Sequence, residues 1–343
     1  MKDKSVKILL SYFKPSYLFK NDMLVPIHAG RDVAKTQSRD GVLSAEQLDW
    51  MEKNTIGDNT GENISALNRN FCEMTTQYWA WKNYDKIGNP DYIGFMQYRR
   101  HYVLNPAFDK LERDNHDICY SMFAINKPFD GYLKTIGLTK KNILNLLKDY
   151  DIILPKLSDF SLIDLKSIRE DYTARIEGTK LKDYENFIEY IKGVDPDFGA
   201  FMEKISFEPK KYLYLSMVTS KKVFMDYANF IFPLLMGFNK TLDISDYSIN
   251  GKRTIAYLGE LLYSNYFQYM KAKGKLKVKE VDVTMLQTCN LEDKKAKNLK
   301  AKYFKYWIMS KITFANKRKK YKQKRKALKS EIQLENKLKK LRG

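Results

Sequence analysis

The sequence has few cysteines and few histidines. Its 343 residues include only three cysteines and three histidines. Three scattered cysteines are too few for a disulfide framework or a structural zinc site, and they suit a reducing compartment. His28, His101 and His116 form no His-x-x-x-His pair. The residues therefore give little support for a divalent metal, and we predict no metal ligands.

Long hydrophobic runs and several catalytic signatures are also missing. No stretch reaches the ~18 apolar residues that span a bilayer. The nearest, residues 223–238, contains Asp226 and Pro233 and is predicted to be a buried helix. The amino terminus lacks a signal-peptide pattern, so we expect a cytoplasmic protein. There is no Walker loop, no Gly-x-Gly-x-x-Gly spacing and no serine nucleophile elbow, which weakens the case for a hydrolase.

The net charge of +20 at pH 7 is concentrated at the carboxyl-terminal end. Residues 294–343 carry 20 Lys and Arg against two acidic residues, whereas residues 1–293 carry 41 basic and 39 acidic ones. With 44% hydrophobic residues, 24 Tyr and 19 Phe, the near-neutral part can build a core. We therefore predict a folded domain over 1–293 and a basic helical tail over 294–343.

Strand and helix patterns alternate through the first part, which predicts an α/β fold with a mainly parallel sheet. The predicted strands are 6–13, 91–98, 151–155, 212–219 and 277–283. The predicted helices are 44–53, 68–84, 139–149, 181–192, 196–204, 220–237 and 255–273. Ser44 with Gln47 has the pattern of a capping box, and Thr139 that of an N-cap.

The sequence Tyr98-Arg99-Arg100 follows an apolar strand. Ligands of open α/β sheets lie outside the carboxyl ends of the strands, and arginine pairs bidentately with phosphate oxygens. Two guanidiniums at this place would suit a diphosphate. The alternative, which is the more common one for arginine pairs, is that they are solvated or paired with neighbouring acids.

Residues 58–65 form a loop rich in Asp, Asn, Gly and Ser that precedes the helix predicted from Asn68. Backbone N–H groups at a helix start, together with the side chains of Asn63 and Ser65, could hold a base, a ribose or a phosphate. A plain Asx-rich turn with an N-cap is the alternative.

Candidates for a general base come late in the sequence. Asp243 and Asp246 lie in a predicted loop, and Glu260 lies two helical turns after Arg253 on the same face. A salt-bridge network along the helix is the alternative for Arg253 and Glu260.

The predicted tail combines aromatic anchors with lysines, followed by nine basic residues among 317–329. This mixture is typical of a segment that binds an anionic membrane surface. Nucleic acid and an inert solvated tail are the alternatives, and the apolar anchors favour the membrane over nucleic acid. The predicted membrane-binding residues are Phe304, Trp307, Lys317, Arg318, Lys319 and Lys320.

Several motifs together resemble the domain-of-unknown-function 4422 family. They are PIHAG at 26–30, DNTGENIS at 58–65, CEMT at 72–75, YWAWKN at 78–83, YIGF at 92–95 and YRR at 98–100. Members belong to bacterial capsule, exopolysaccharide and O-antigen loci and are regarded as glycosyltransferases. Two positions depart from the family pattern, since Phe13 and Gln97 stand where relatives have histidine, so we assign no catalytic role to a histidine.

The resemblance implies a GT-A-like, Rossmann-type nucleotide-sugar domain with added helices. It favours a UDP-sugar as donor and a hexosyltransferase activity, with galactofuranose transfer known among some relatives. The acceptor would be a lipid-linked glycan, and the enzyme would act peripherally at the inner face of the cytoplasmic membrane. The base would be Glu260, or failing that Asp246. The expected donor-binding residues are His28, Gly30, Asp58, Gly61, Asn63, Ser65, Asn68, Tyr98, Arg99, Arg100 and Arg253.

Two other kinds of protein stay open at this point. One is a nucleic-acid-binding protein that acts through its basic tail. The other is a non-catalytic partner in a polysaccharide-assembly complex, which the two departures from the family pattern keep in consideration.

Overall fold

The computed structural model of the chain describes residues 4–108, 116–117, 119–125, 127–174 and 176–287. These residues belong to a compact unit that spans Met1–Cys289. The predicted domain boundary at residue 293 lies outside the described residues. So do the predicted tail and all of its membrane-binding residues.

A mostly parallel central sheet organises the described chain. Its order is β3-β2-β1-β4-β11-β8-β12, with β11 antiparallel to both of its neighbours and every other pair parallel. The prediction of an α/β fold with a mainly parallel sheet is therefore confirmed. The strands of this sheet are β1 Val6–Tyr12, β2 Leu24–His28, β3 Ile56–Gly57, β4 Tyr92–Gln97, β8 Ile152–Pro155, β11 Met217–Ser220 and β12 Val278–Val281.

A second arm branches from the central strand. Strand β4 turns sharply into β5, which pairs Gln97 with Arg100, and the arm continues in the order β5-β13-β7-β6. A separate pair is formed by β9 and β10. The remaining strands are β5 Arg100–Tyr102, β6 His116–Asp117, β7 Met122–Ile125, β9 Ser158–Asp159, β10 Lys210–Lys211 and β13 Val283–Leu286.

Helices cover the sheet on both sides. The α-helices are α1 Ala45–Asn54, α2 Asn68–Phe71, α3 Met74–Lys82, α4 Tyr132–Thr135, α5 Lys140–Leu146, α6 Ile168–Ala174, α7 Leu181–Val194, α8 Pro196–Ile205, α9 Lys221–Asn239 and α10 Thr254–Ala272. Short 3-10 helices lie at Arg31–Val33, Ser65–Leu67, Tyr84–Ile87, Phe160–Ile163 and Gly251–Arg253. Both predicted caps are confirmed, because Ser44 forms a reciprocal capping box with Gln47 and the Thr139 hydroxyl accepts the N–H of Asn142.

The core has two halves, one on each face of the sheet. Successive side chains of a strand point to opposite faces, so Leu9 packs in one half while Ile8 and Leu10 pack in the other. The first half holds the long helices α9 and α10 against the sheet. None of the helices in the described part of the chain is long and apolar enough to span a bilayer.

Two predicted elements are interrupted. The single helix predicted over 68–84 breaks at Cys72, because a φ of 48° is incompatible with a right-handed helix. The Asn68 side chain donates to the Cys72 carbonyl at 2.7 Å at this break. The strand predicted over 212–219 begins only at Met217, since Tyr214 and Leu215 have φ values of 74° and 51°. Both interruptions lie at the same edge of the sheet, where the candidate site is found.

Candidate active site at the carboxyl edge of the sheet

The carboxyl ends of three parallel strands meet at one edge. Tyr12 pairs with His28, and Ser11 pairs with Gln97, so β1, β2 and β4 end side by side. The antiparallel strand β11 begins at this edge, where Met217 pairs with Phe95. This is the edge at which open α/β sheets bind ligands.

The two predicted arginines lie at the turn that leaves this edge. Tyr98 and Arg99 form the turn, and Arg100 is the first residue of β5. The Arg100 guanidinium donates to the Gln97 side chain through Nη1, while its buried Nε has no hydrogen-bond partner within the described residues. Burial, and then the charge of Arg99, lowers the pKa of Arg100. Arginine keeps its charge through such a shift, so a buried cation with an available N–H stands at the edge.

Gln97 connects Arg100 to an acidic residue. Its Nε2 donates to the Glu73 carboxylate, and its Oε1 accepts from Arg100. Glu73 lies just after the helix break at Cys72, which brings it to the edge. The position at which family members have histidine is thus occupied by an amide that links an acid to an arginine.

Arg253, the last residue of the 3-10 helix that precedes α10, joins the same cluster. Its Nε donates to the Cys72 sulfur at 3.0 Å, and its guanidinium lies 5.2 Å from the centre of the Tyr257 ring. Burial raises the pKa of the Cys72 thiol, so the thiol acts as a neutral partner. Glu73 lies close enough to Arg253 and Arg100 to favour the charged forms of both. The structure therefore brings together arginines that are far apart in the sequence.

Glu260 is a second carboxylate near Arg100. Its Oε2 accepts the backbone N–H of Tyr214 at 2.9 Å, and the Tyr214 ring centre lies 4.7 Å from the Arg100 guanidinium. The Lys211 ammonium lies 3.9 Å from the other carboxylate oxygen, and the Glu260 side chain is 23% exposed. A half-buried carboxylate with cations around it, reachable from solvent, suits a proton acceptor.

Asp246, the second predicted base, lies elsewhere. It is exposed in the loop between α9 and α10, where the hydroxyl of its neighbour Tyr247 donates to Asp183 on helix α7. In the described part of the chain, the contacts of the arginine cluster lead to Glu260 and do not include Asp246.

The loop at 58–65 is built differently from the expectation. The Asp58 carboxylate is fully buried and accepts from the backbone N–H groups of Gly30 and Arg31 and from the hydroxyls of Ser65 and Thr75. Four donors occupy its two oxygens. Asp58 and Ser65 therefore hold the turn after β2 in place, and a direct contact of either with the donor stays a prediction.

The predicted glycines also shape this turn. Gly30 has φ +73°, and a Cβ there would overlap the side chain of Asn68. Gly61 has φ +64°, and a Cβ there would overlap the side chain of Asn83. Asn63 donates to the Gly61 carbonyl at 2.9 Å and is partly exposed. Gly30 and Asn68 therefore pack against each other, while the outward part of the loop is residues 59–63.

His28 and Tyr98 are almost completely buried. Burial, and then the charges of Arg31 and Arg69, lowers the pKa of His28 to about 4, so the imidazole is neutral at pH 7. Its Nδ1 has no hydrogen-bond partner among the described residues. The Tyr98 ring packs 5.2 Å from that of Tyr12, within the core. The Tyr98 ring thus anchors the arginine turn to the core, and its expected role as a donor contact stays a prediction.

Sequence reasoning missed several residues of this site. Glu73 and Cys72 stood within a family motif but carried no local signal of a role. Tyr214 lies within the segment 212–219 that was predicted to be a regular strand, and Lys211 immediately precedes that segment. Within the residues that the structure describes, no group of three or more His, Cys, Asp and Glu side chains is arranged to hold a metal ion.

The sheet, and an arginine cluster at its carboxyl edge, define an α/β protein whose site is suited to an anionic ligand. The chain belongs to the family described as "Domain of unknown function (DUF4422)", which matches residues 7–272. The resemblance seen in the motifs is therefore confirmed.

A solved structure supports the same class. The chain is similar to the apo structure of the WbbM bifunctional glycosyltransferase, with a TM-score of 0.69 and 28% sequence identity. The similarity covers 83% of this chain and 46% of that chain, so this chain corresponds to about half of the longer protein. The fold is consistent with a GT-A-like arrangement, and the similarity supports a glycosyltransferase. The comparison with curated proteins finds no match.

Proposed function

We propose that this protein is a glycosyltransferase that moves a sugar from a nucleoside-diphosphate donor, favoured to be a UDP-sugar, to a lipid-linked glycan acceptor. The observation that carries the proposal is the position of Arg100 at the carboxyl edge of the sheet, where Tyr214 contacts both this guanidinium and the carboxylate Glu260. Arg253 is linked to Arg100 through Glu73, which lies close to both guanidiniums. The similarity to a glycosyltransferase structure over most of this chain supports it.

The arginines would stabilise the leaving diphosphate. When the bond between the sugar and the diphosphate breaks, negative charge grows on the phosphate oxygens, and fixed cations stabilise that charge most in the transition state. Guanidiniums suit this role because they stay charged and bind phosphate oxygens in pairs. Arg99 at the turn and the neighbouring Arg100 would contact the diphosphate, and Arg253 would supply a third positive charge. In this mechanism the arginines neutralise the diphosphate, and no metal ion is assigned a role.

Glu260 would accept the proton of the acceptor hydroxyl in an inverting transfer. The acceptor oxygen bonds to the anomeric carbon as the bond from that carbon to the diphosphate oxygen breaks. The proton passes to Glu260, and the nucleoside diphosphate leaves with the electron pair. A carboxylate must be ionised to take this role, which the neighbouring Lys211 favours.

The nucleoside would bind beside the turn after β2. His28 presents a buried Nδ1 without a partner among the described residues, and residues 59–63 form the outward part of the adjoining loop. Gly61 and Asn63 would contact the donor from this loop. Gly30 and Asn68 shape the wall on which it would lie.

The basic tail would hold the enzyme at the anionic inner leaflet, where a lipid-linked acceptor resides. We propose, from the family resemblance, that the reaction belongs to the synthesis of a capsule, an exopolysaccharide or an O-antigen. To test the location, the full chain is sedimented with anionic vesicles and separately with RNA. A variant with Trp307→Ala and Lys317, Arg318, Lys319 and Lys320 changed to Gln should lose vesicle binding. Tail-dependent binding to RNA alone would contradict this role.

The activity is tested by incubating the protein with a panel of nucleotide sugars and measuring release of nucleoside diphosphate with and without glycan acceptors. Arg99→Ala and Arg100→Ala should each lower turnover and weaken binding of UDP. Arg169→Ala is a matched control, because Arg169 pairs with Glu185 on the surface away from the edge. Full turnover with unchanged donor affinity in both site variants would remove the diphosphate role.

A further inference from the structure

A strained segment, residues 211–216, begins at the last residue of β10 and leads into β11 beside the proposed site. Tyr214 and Leu215 are consecutive, and both have left-handed backbone conformations, with φ 74° and φ 51°. Such conformations are unfavourable for residues with a Cβ and persist only where the surroundings impose them. Strain of this kind concentrates at functional sites.

Three side chains from neighbouring helices hold the segment in this shape. The Tyr212 N–H donates to the Ser264 hydroxyl at 2.9 Å, and the Leu215 carbonyl accepts from Gln77 at 2.8 Å. The Ser216 carbonyl accepts from the Tyr263 hydroxyl. These partners come from α3 and α10, so two helices impose the conformation on the segment.

Two residues of the segment contact Glu260. The N–H of Tyr214, which is one of the two strained residues, donates to Glu260 at 2.9 Å. The ammonium of Lys211, the first residue of the segment, lies 3.9 Å from Glu260 and 3.0 Å from the Asp171 carboxylate. The Lys211 and Asp171 side chains are 3% and 0% exposed, so their charges act in a medium that screens them little. The Tyr214 ring, in turn, lies against Arg100.

We propose that Lys211 and Tyr214 are positioning residues that hold the acceptor-activating carboxylate Glu260 and the diphosphate-binding Arg100 in a fixed relation. The inference rests on the proposed function, because it needs those two roles. Lys211 keeps the Glu260 carboxylate ionised, since an ammonium at this distance favours the charged form. Tyr214 supports the Arg100 guanidinium with the face of its ring and orients Glu260 with its N–H.

Other charged and titratable groups also act on Glu260. Arg100 lies on one side, and the phenols of Tyr214, Tyr257 and Tyr263 are close enough to interact with it electrostatically. All four stay in place when Lys211 is changed. A shift in the pH dependence of a Lys211 variant therefore reports on Lys211 and its partner Asp171.

The first experiment compares Lys211→Met with Lys210→Met in the full chain. Lys210 is a matched control, because it is the neighbouring residue, 54% exposed and paired with Asp159 at 3.1 Å. The dependence of kcat/KM on pH is measured with the best donor of the panel. Without the ammonium, Glu260 should be protonated at higher pH, so the acid limb should move up by about one pH unit. Lys211→Arg should restore the profile of the unchanged protein, and Lys210→Met should match it.

The second experiment is independent of turnover and of the buried ion pair. Binding of UDP is measured by calorimetry for Tyr214→Leu and for Tyr214→Phe. Tyr214→Leu should weaken binding by about 5- to 10-fold, because Arg100 loses its support, whereas Tyr214→Phe should stay within about twofold. If Lys211→Met does not fold, the UDP affinities of the two Tyr214 variants still test the positioning role.

The outcomes separate the inference from the proposed function. If the unchanged protein releases UDP from a donor but Lys211→Met keeps its pH profile, or Tyr214→Leu binds UDP normally, the positioning role is wrong. If the unchanged protein neither binds UDP nor transfers any sugar, the proposed function is wrong and the inference falls with it.

Discussion

Glu260 accepts the backbone N–H of Tyr214 at 2.9 Å, which ties a helix carboxylate to the residue whose ring lies against Arg100. The contact joins helix α10 to the turn between β4 and β5 through a segment that belongs to neither. This contact also favours Glu260 over Asp246 as the general base, because Asp246 lies exposed in a loop. The choice between the two predicted bases can be tested directly.

Glu260→Gln should lower kcat by about 10²- to 10⁴-fold, because the amide cannot take a proton from the acceptor. Affinity for UDP should change little, since the amide oxygen can still accept the Tyr214 N–H. Asp246→Asn is the control and should keep its activity. Steady-state transfer kinetics and calorimetry measure the two quantities. A large loss in Asp246→Asn with a small one in Glu260→Gln would reverse the assignment.

Gly30→Ala should destabilise the protein more than Gly41→Ala. Both glycines have positive φ, at +73° and +93°, so both substitutions strain the backbone. Only at Gly30 does the new methyl group overlap a neighbour, the Asn68 side chain, whereas nothing lies within 4 Å at Gly41. The overlap should add about 1–3 kcal/mol to the loss in free energy of unfolding, measured with urea. Equal losses in the two variants would show that the contact between Gly30 and Asn68 does not matter for stability.

Asp58→Asn should lower the free energy of unfolding by about 2–4 kcal/mol, because an amide nitrogen turned toward buried donors leaves hydrogen bonds unmade. Asp49→Asn should change it by less than about 1 kcal/mol, since Asp49 forms only an exposed pair with Lys53. Thermal melting and UDP binding are measured together. Unchanged stability with a loss of UDP binding would indicate that Asp58 contacts the donor after all.

Acid should destabilise the fold through two buried histidines. Burial lowers the pKa of His101 to about 3, and burial with nearby arginines lowers that of His28 to about 4. In the unfolded chain the ordinary value is about 6.5. Stability from these groups is therefore complete above pH 6.5 and is lost as the pH falls toward the folded values, by about 2–3 kcal/mol for each group.

His101→Phe isolates one of these contributions. The Tyr132 hydroxyl, which contacts His101, also lies at hydrogen-bond distance from the Thr284 hydroxyl and so keeps a partner. Urea unfolding at pH 7 and pH 4.5 should show a smaller difference in the variant than in the unchanged protein. Identical differences would mean that His101 titrates in the fold as it does in the unfolded chain.

Much of the fold follows from short-range patterns. Ser44 and Thr139 cap their helices as predicted, because a cap depends only on the next three residues. The strand that ends before Arg99 is also readable, since its apolar run and its end are local. The family motifs PIHAG and YRR both lie at the carboxyl edge of the sheet. The burial of Asp58 and Tyr98 was not predictable in this way, because burial depends on elements that are distant in the sequence.

Local sequence patterns are enough to predict the alternation of strands and helices, the mainly parallel sheet and the arginines at the end of a strand. The folded chain alone reveals that Glu73 and Glu260 lie near Arg100, and that the backbone at Tyr214 and Leu215 is strained. The physical reason is the range of the interactions. Caps and strand patterns are set by neighbours along the chain, whereas the contacts of Tyr214 with Glu260 and Arg100 arise when the packing of the sheet and α10 brings three separate segments together.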